Sequence, residues 1–252
     1  MCQKSIRASP FDVLSHVGPR LVPFFKTVII YFVAWLPLDY PTVFSALIKC
    51  LPIMCLTFFV WLQGVSLRKE HDYQRRILVG LVFSCLGDAL LIWHETHFIT
   101  AMAAFAVAHV SYIRAFGFSR PYKWVKGIPF VGLLLVVMYL FYPGLQGILL
   151  PGVYIYIWII CSMGWRAVAQ IDLENTWSWT SLFGCIGAVL FMLSDLIIGI
   201  NKFVTPVPLS RVFIMSTYYA AQVFIALSAV NTTNIVIKLR MSNKASQEIQ
   251  SK

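Results

Sequence analysis

Two aspartates lie deep within long apolar stretches, Asp88 in GLVFSCLGDALLIW and Asp195 in GAVLFMLSDLIIGI. A carboxylate placed in hydrocarbon costs about 2.5–3.5 kcal/mol or more, so an acid kept there marks a functional site by default. Lys49, in the apolar stretch SALIKCLPI, adds an ammonium of the same kind. Two acids around one cation are able to hold different protonation states, because burial favours the neutral acid and a neighbouring ammonium favours the anion. That is a proton donor beside a proton acceptor, the pairing that general acid–base catalysis uses. A structural ion pair that fixes helix packing, and a proton or head-group relay in a transporter or lipid-binding protein, are the two other uses of such a layer.

Helical spacing gathers further polar groups around these three. Ser84, Gly87, Asp88 and Leu91 fall on one helix face, and Gly187, Phe191, Ser194 and Asp195 form nearly the same stripe on another. Small residues on such stripes let membrane helices approach closely and let polar groups meet across the interface. Phe105, His109 and Tyr112 share a face, as do Tyr218 and Gln222, with Tyr219 beside them. Phenols, amides and imidazoles at mid-membrane depth need hydrogen-bond partners, which a neighbouring helix, water or a ligand supplies.

The elements that position these groups are membrane helices. The chain has 252 residues, 59% of them hydrophobic and only 12% charged, with a mean hydropathy of +0.77. Soluble domains carry about twice that charged fraction. Eight apolar segments approach the roughly 20 residues needed to cross a bilayer, at approximately 22–38, 44–62, 76–93, 98–116, 127–142, 148–165, 180–200 and 209–230. Their short connections leave no room for a soluble domain. The expected fold is therefore all-α, a single polytopic transmembrane bundle over 1–252 with a cytosolic tail from 231.

The formal charge of +10 is topogenic rather than a nucleic-acid footprint. With the N-terminus in the cytosol, only Lys49, Lys202 and Arg211 of the 20 Lys and Arg fall on the opposite side. The positive-inside rule then places both termini in the cytosol. The segment MCQKSIRASPFDVLSHVGPR lacks the apolar core and small-residue cleavage site of a removable signal peptide, so the first helix is expected to act as the anchor. At about 1.5 Å per residue, Asp88 and Asp195 lie roughly 5–7 Å from their helix midpoints, toward the non-cytosolic side, with Lys49 at similar depth.

Helices three and seven share a further pattern: Gly80 precedes Asp88, and Gly187 precedes Asp195, by the same interval, each acid leading into an aliphatic run. Helices four apart in order run in the same direction, as a parallel 4+4 duplication produces. Other motifs do not hold. The six cysteines contain no C-x-x-C pair and are expected to pack as small apolar residues. His94-Glu95-Thr96-His97 is one residue short of H-E-x-x-H and is expected to be a solvated loop. Asn231-Thr232-Thr233 matches a glycosylation sequon, on the side that the charge asymmetry makes cytosolic.

With these residues in view, the chain resembles the lysoplasmalogenases, the YhhN-like family, along almost its whole length. The resemblance is carried in fixed order by LVPFFK, SALIKCLPI, GLVFSCLGDALLIW, FAVAHVSY, MGWRA, LSDLIIGINKF and PLSRVFIMSTYYAAQ. MGWRA with INKF and PVPLSR is most similar to the A-type vertebrate branch. The lysine segment reads Lys49-Cys50-Leu51-Pro52, where many bacterial relatives resemble a direct Lys-Pro. The resemblance implies hydrolysis of the vinyl ether bond of lysoplasmalogens to a fatty aldehyde and glycerophosphoethanolamine or glycerophosphocholine. It further implies an endoplasmic reticulum location, no metal or other cofactor, and a lysoplasmalogen lipid as substrate, with no nucleic acid. Asp88 and Asp195 would be the catalytic pair, with Lys49, Ser84, His109, Tyr112, Ser194, Tyr218 and Gln222 binding substrate or supporting them. Glycosidases place paired carboxylates around a similar oxocarbenium ion.

Overall fold

The computed structural model describes residues 10–35, 41–65, 69–117, 124–171 and 179–230. The tail from 231 and the Asn231 sequon lie outside the described residues. Within them the secondary structure is helical throughout: α1 (Pro10–Ala34), α2 (Val43–Trp61), α3 (Asp72–Leu91), α4 (His94–Phe116), α5 (Ile128–Phe141), α6 (Leu149–Ala169), α7 (Trp179–Phe203) and α8 (Ser210–Ser228). α1 starts well ahead of its apolar stretch, running through Pro19 and Pro23. The His94–His97 segment is a correction to the expected loop. It forms the exposed first turn of α4, with a break in helical geometry at His97 (φ −116°, ψ 15°).

Six helical segments are long and apolar enough to cross a membrane: Val17–Ala34, α2, α4, Val125–Gly144, α6 and α7. α3 and α8 are the less apolar two, for different reasons. α3 carries Asp72, Arg75 and Arg76 in its first turns as well as Asp88, with Arg75 and Arg76 both paired to Asp72. α8 lies inside the bundle, with Met215, Tyr218, Tyr219, Ala221 and Gln222 all buried. A helix surrounded by other helices need not be apolar enough to face lipid. The reverse holds for α5, which exposes Val131, Leu135, Val136 and Tyr139, as a lipid-facing surface would.

α3 packs most extensively on α4, and α7 on α8. The glycines of the two stripes explain how closely. A Cβ on Gly80 would sit 2.1 Å from Tyr112 Cε1, and one on Gly187 would sit 2.8 Å from the Ala221 carbonyl oxygen. The main core joins Ile53, Leu56, Leu81, Tyr112, Phe191 and Tyr219 from five helices, and a second cluster gathers Val137, Phe141, Val153 and Ile157 between α5 and α6.

Two local devices fix helix ends that carry site residues. Thr42 and Ser45 exchange side-chain and backbone hydrogen bonds in a capping box that starts α2. Buried Arg166, from the MGWRA segment, donates from Nε to the Gly117 carbonyl at 2.8 Å. A cation at the end of α4 satisfies a free carbonyl and complements the helix dipole.

Candidate functional site

Asp88 sits one turn from the end of α3, and α2 crosses beside it. Lys49 Nζ lies 3.4 Å from Asp88 Oδ1 and 3.4 Å from the Asp88 carbonyl oxygen. Tyr218, from α8, donates its hydroxyl to Asp88 Oδ2 at 2.5 Å. The lysine's own turn is held by Tyr219, whose hydroxyl donates to the Lys49 carbonyl at 2.9 Å. This turn precedes Pro52, which has no N–H to offer the preceding turn of α2. Both side chains of the pair are buried, so the charges are compensated by each other and by the phenol rather than by solvent.

Asp195 belongs to a second cluster. Tyr156 of α6 donates its hydroxyl to Asp195 Oδ2 in a very short contact. His109 of α4 places Nε2 2.9 Å from the same Tyr156 oxygen and 3.4 Å from Asp195 Oδ2. A phenol thus sits between an imidazole and a carboxylate, and a proton can be passed along all three. The Asp195 side chain keeps 14% of its surface exposed, against 3% for Asp88. It is the more accessible acid.

Aromatic rings join the two clusters. Phe191 meets His109 edge-on at 4.6 Å and Tyr218 at 5.3 Å between ring centroids, and Phe105 meets both Phe191 and Tyr218. A third polar group adjoins them: Tyr112 donates to Gln222 Oε1 at 3.0 Å, with Ser84 Oγ 3.5 Å from the Tyr112 oxygen. Among the described residues, His109 Nδ1 and Gln222 Nε2 are buried with no hydrogen-bond partner, which suits them to hold water or a substrate oxygen. Ser194 is turned to a different task, donating to the Ile214 carbonyl at 3.1 Å across the α7–α8 contact.

Two cavities flank this assembly. One, of about 400 Å³, is almost wholly apolar, with walls that include Met102, Phe105, Phe141, Ile157, Met192 and Phe203; Tyr156 and Asp195 are its polar groups. The other, of about 370 Å³, is lined by Lys49 together with Tyr31, Ser45, His94, Asn201, Lys202 and Arg211. Leu91, Phe98 and Ile198 belong to both walls, so the cavities adjoin. The apolar one has the lining expected for a hydrocarbon chain and the other the lining expected for a polar, anionic group.

Tyr156 was not legible in the sequence. It stands in the uniformly apolar run VYIYIWII without a polar residue at helical spacing, and its only signal is that a membrane phenol needs a partner. Of the anticipated residues, Lys49, Asp88 and Tyr218 converge on one point, His109 and Asp195 on a second, and Ser84, Tyr112 and Gln222 on a third. Among the described residues, no group of three or more His, Cys, Asp and Glu side chains is arranged to hold a metal ion.

The family model for YhhN proteins matches residues 44–229. Lysoplasmalogenase TMEM86A of Bos taurus is 48% identical over 93% of this chain and 98% of its own length. Lysoplasmalogenase TMEM86A of Homo sapiens is 45% identical over the same shares. Lysoplasmalogenase TMEM86B of Homo sapiens is 39% identical over 84% of this chain and 87% of its own length. No solved structure matches the chain.

Proposed function

This chain belongs to the YhhN family, and from that premise we infer that it is a membrane hydrolase that cleaves the vinyl ether bond of lysoplasmalogens. The observation that carries the reading is the near-complete coverage of relatives that bear the name lysoplasmalogenase. The geometry supports it with one acid, Asp195, on the wall of a chain-sized apolar cavity, and a second, Asp88, paired with Lys49 on the wall of the adjoining one.

The reaction needs a proton on the β-carbon of the vinyl ether, a stabilised oxocarbenium ion, and water on the α-carbon. The β-carbon lies on the chain side of the ether oxygen, and Asp195 is the acid on the wall of the apolar cavity. On this reading Asp195 gives the proton, and Tyr156 and His109 hold it in place. Asp88, its charge compensated by Lys49 and Tyr218, stabilises the cation and takes a proton from the attacking water. The resulting hemiacetal breaks its bond to glycerol. Asp88 passes the proton it took from water to the departing glycerol oxygen, the hemiacetal hydroxyl gives its proton to Asp195, and the aldehyde and the glycerophospholipid head group leave with both acids reset. Gln222, Tyr112 and Ser84 are placed to orient water or the free glycerol hydroxyl.

The same reading assigns eight membrane spans in a single polytopic domain, both termini in the cytosol, and residence in the endoplasmic reticulum. It also includes the 4+4 duplication, supported by α3 packing on α4 as α7 packs on α8. The charge asymmetry supports the orientation, and a glycan on Asn231 in cells would contradict it.

The decisive experiment presents vinyl-ether, alkyl-ether and acyl lysolipids to the purified protein in detergent, where no gradient exists. Aldehyde release from the vinyl ether alone is expected. No release, with lipid bound tightly, would make the protein a lipid carrier or transporter instead.

A further inference from the structure

α7 carries the parts of the site in order along its length. Asn201 and Lys202 line the polar cavity, Ile198 belongs to both cavities, Asp195 is on the wall of the apolar one, and Leu193 and Val189 lie beyond it on that same wall. At about 1.5 Å per residue, Val189 is about 9 Å along the helix axis from Asp195. The polar cavity thus adjoins on one side of the acid, and Leu193 and Val189 lie on the other.

These two residues differ from the rest of the wall in facing outward. Val189 and Leu193 are 47% and 43% exposed, and Leu133, on the α5 side of the same cavity, is 37% exposed. Among the described residues, all other side chains lining this cavity are buried or half-buried. The cavity therefore opens sideways, between α5 and α7, onto the surface that faces lipid.

The sequence of α5 explains why this seam is able to part. Between Ile128 and Phe141 the one side chain with a hydroxyl, amide or charged group is Tyr139, and it faces outward, 84% exposed. α5 gives α7 no side-chain hydrogen bond and leans on it through apolar contact: a Cβ on Gly199 would overlap the Phe141 ring, and Phe130 and Met192 come together over Gly164 of α6. Helices joined in this way separate without leaving a polar side chain unpaired in hydrocarbon.

We propose that the seam between Leu133 on α5 and Val189 and Leu193 on α7 is the entrance for the substrate's hydrocarbon chain, which slides in from the bilayer and keeps its far end in lipid during turnover. This rests on the lysoplasmalogen reading and extends it to the chain. The occupant follows from continuity: an apolar wall that runs from Asp195 to the bilayer suits a hydrocarbon chain and nothing polar. Because the chain end stays outside the protein, the site does not measure chain length beyond the mouth.

The test uses the full chain purified in detergent, with vinyl-ether lysolipids that carry an octadecenyl chain, which reaches past the mouth, or a hexenyl chain, which ends inside it. Leu133→Trp and Val189→Trp fill the mouth from its two sides and should each lower kcat/KM for the octadecenyl lipid on the order of tenfold more than for the hexenyl lipid. Leu135→Trp, on the outer surface of α5 and away from the cavity, should leave that ratio at its wild-type value. Both mouth residues are on the surface, and if one variant fails to purify the other carries the test. An unchanged ratio in a mouth variant overturns the proposal, and so does a ratio that Leu135→Trp moves as far. Binding of the uncleavable octadecyl and hexyl ether lysolipids is measured alongside. Weakened octadecyl binding in the mouth variants, with no aldehyde released by the wild type, would remove the hydrolase reading and keep the entrance. Aldehyde release with unchanged ratios would do the reverse. A diacyl phosphatidylcholine that displaces the octadecyl ether lysolipid at equal concentration would make the seam a groove for bulk lipid and overturn the proposal as well.

Discussion

Lys49 and Asp88 face each other across the α2–α3 contact, Nζ to Oδ1 3.4 Å, with side chains only 9% and 3% exposed. A pair so buried does little for net stability by itself, yet losing one partner leaves the other charged and unsolvated. Lys49→Met is therefore expected to lower stability by about 3–5 kcal/mol. The double variant Lys49→Met with Asp88→Asn should recover much of that loss. Thermal unfolding in detergent measures both, and equal destabilisation of single and double variants would show that the pair is not coupled.

Asp88→Asn and Asp195→Asn should each lower aldehyde release by about 10²–10⁴-fold or more. Asp195→Asn keeps the side-chain shape and should purify as a folded species, whereas Asp88→Asn leaves Lys49 without its counter-charge, so its turnover is compared with that of the Lys49→Met, Asp88→Asn double variant at matched folded fraction. Near-normal turnover by either variant would remove the two-carboxylate mechanism.

Tyr156 bridges His109 and Asp195 through one oxygen, so Tyr156→Phe removes the bridge and leaves the ring. A hydrogen bond to a charged group contributes about 1.5–3 kcal/mol, which corresponds to roughly a 10- to 100-fold fall in kcat. Steady-state kinetics on a vinyl-ether lysolipid checks this, and an unchanged kcat would reduce Tyr156 to a wall of the cavity.

A Cβ on Gly187 would meet the Ile225 side chain at 2.7 Å and, within 2.9 Å, two backbone atoms of α8 that cannot turn aside, the Ala221 carbonyl oxygen and the Ile225 nitrogen. Gly187→Ala must push α7 and α8 apart and is expected to cost about 1–3 kcal/mol, as overpacked cores do. A melting temperature equal to the wild type would mean that the contact between these helices is looser than described.

No metal takes part in the proposed chemistry. Activity should persist in full after dialysis against a chelator, and loss that added zinc or magnesium restores would require a different mechanism.

Much of the architecture is legible along the chain because each apolar segment must satisfy its own backbone as a helix in lipid. For the same reason the energetic cost of a buried carboxylate or ammonium singles out Asp88, Asp195 and Lys49 without a structure. Within one helix the 3.6-residue repeat also assigns faces, so the stripes around Ser84 and Gly187 are sequence properties. The repeat does not say which face of one helix meets which face of another. That choice belongs to packing, to glycine contacts such as Gly80 against Tyr112. It is packing that divides the polar residues into an Asp88 cluster and an Asp195 cluster, brings in Tyr156 from an otherwise apolar helix, and turns Ser194 toward the Ile214 carbonyl. The meeting of Lys202 and Arg211 with Lys49 on one cavity is likewise a tertiary fact, since nothing in the spacing of three cations on three helices requires them to converge.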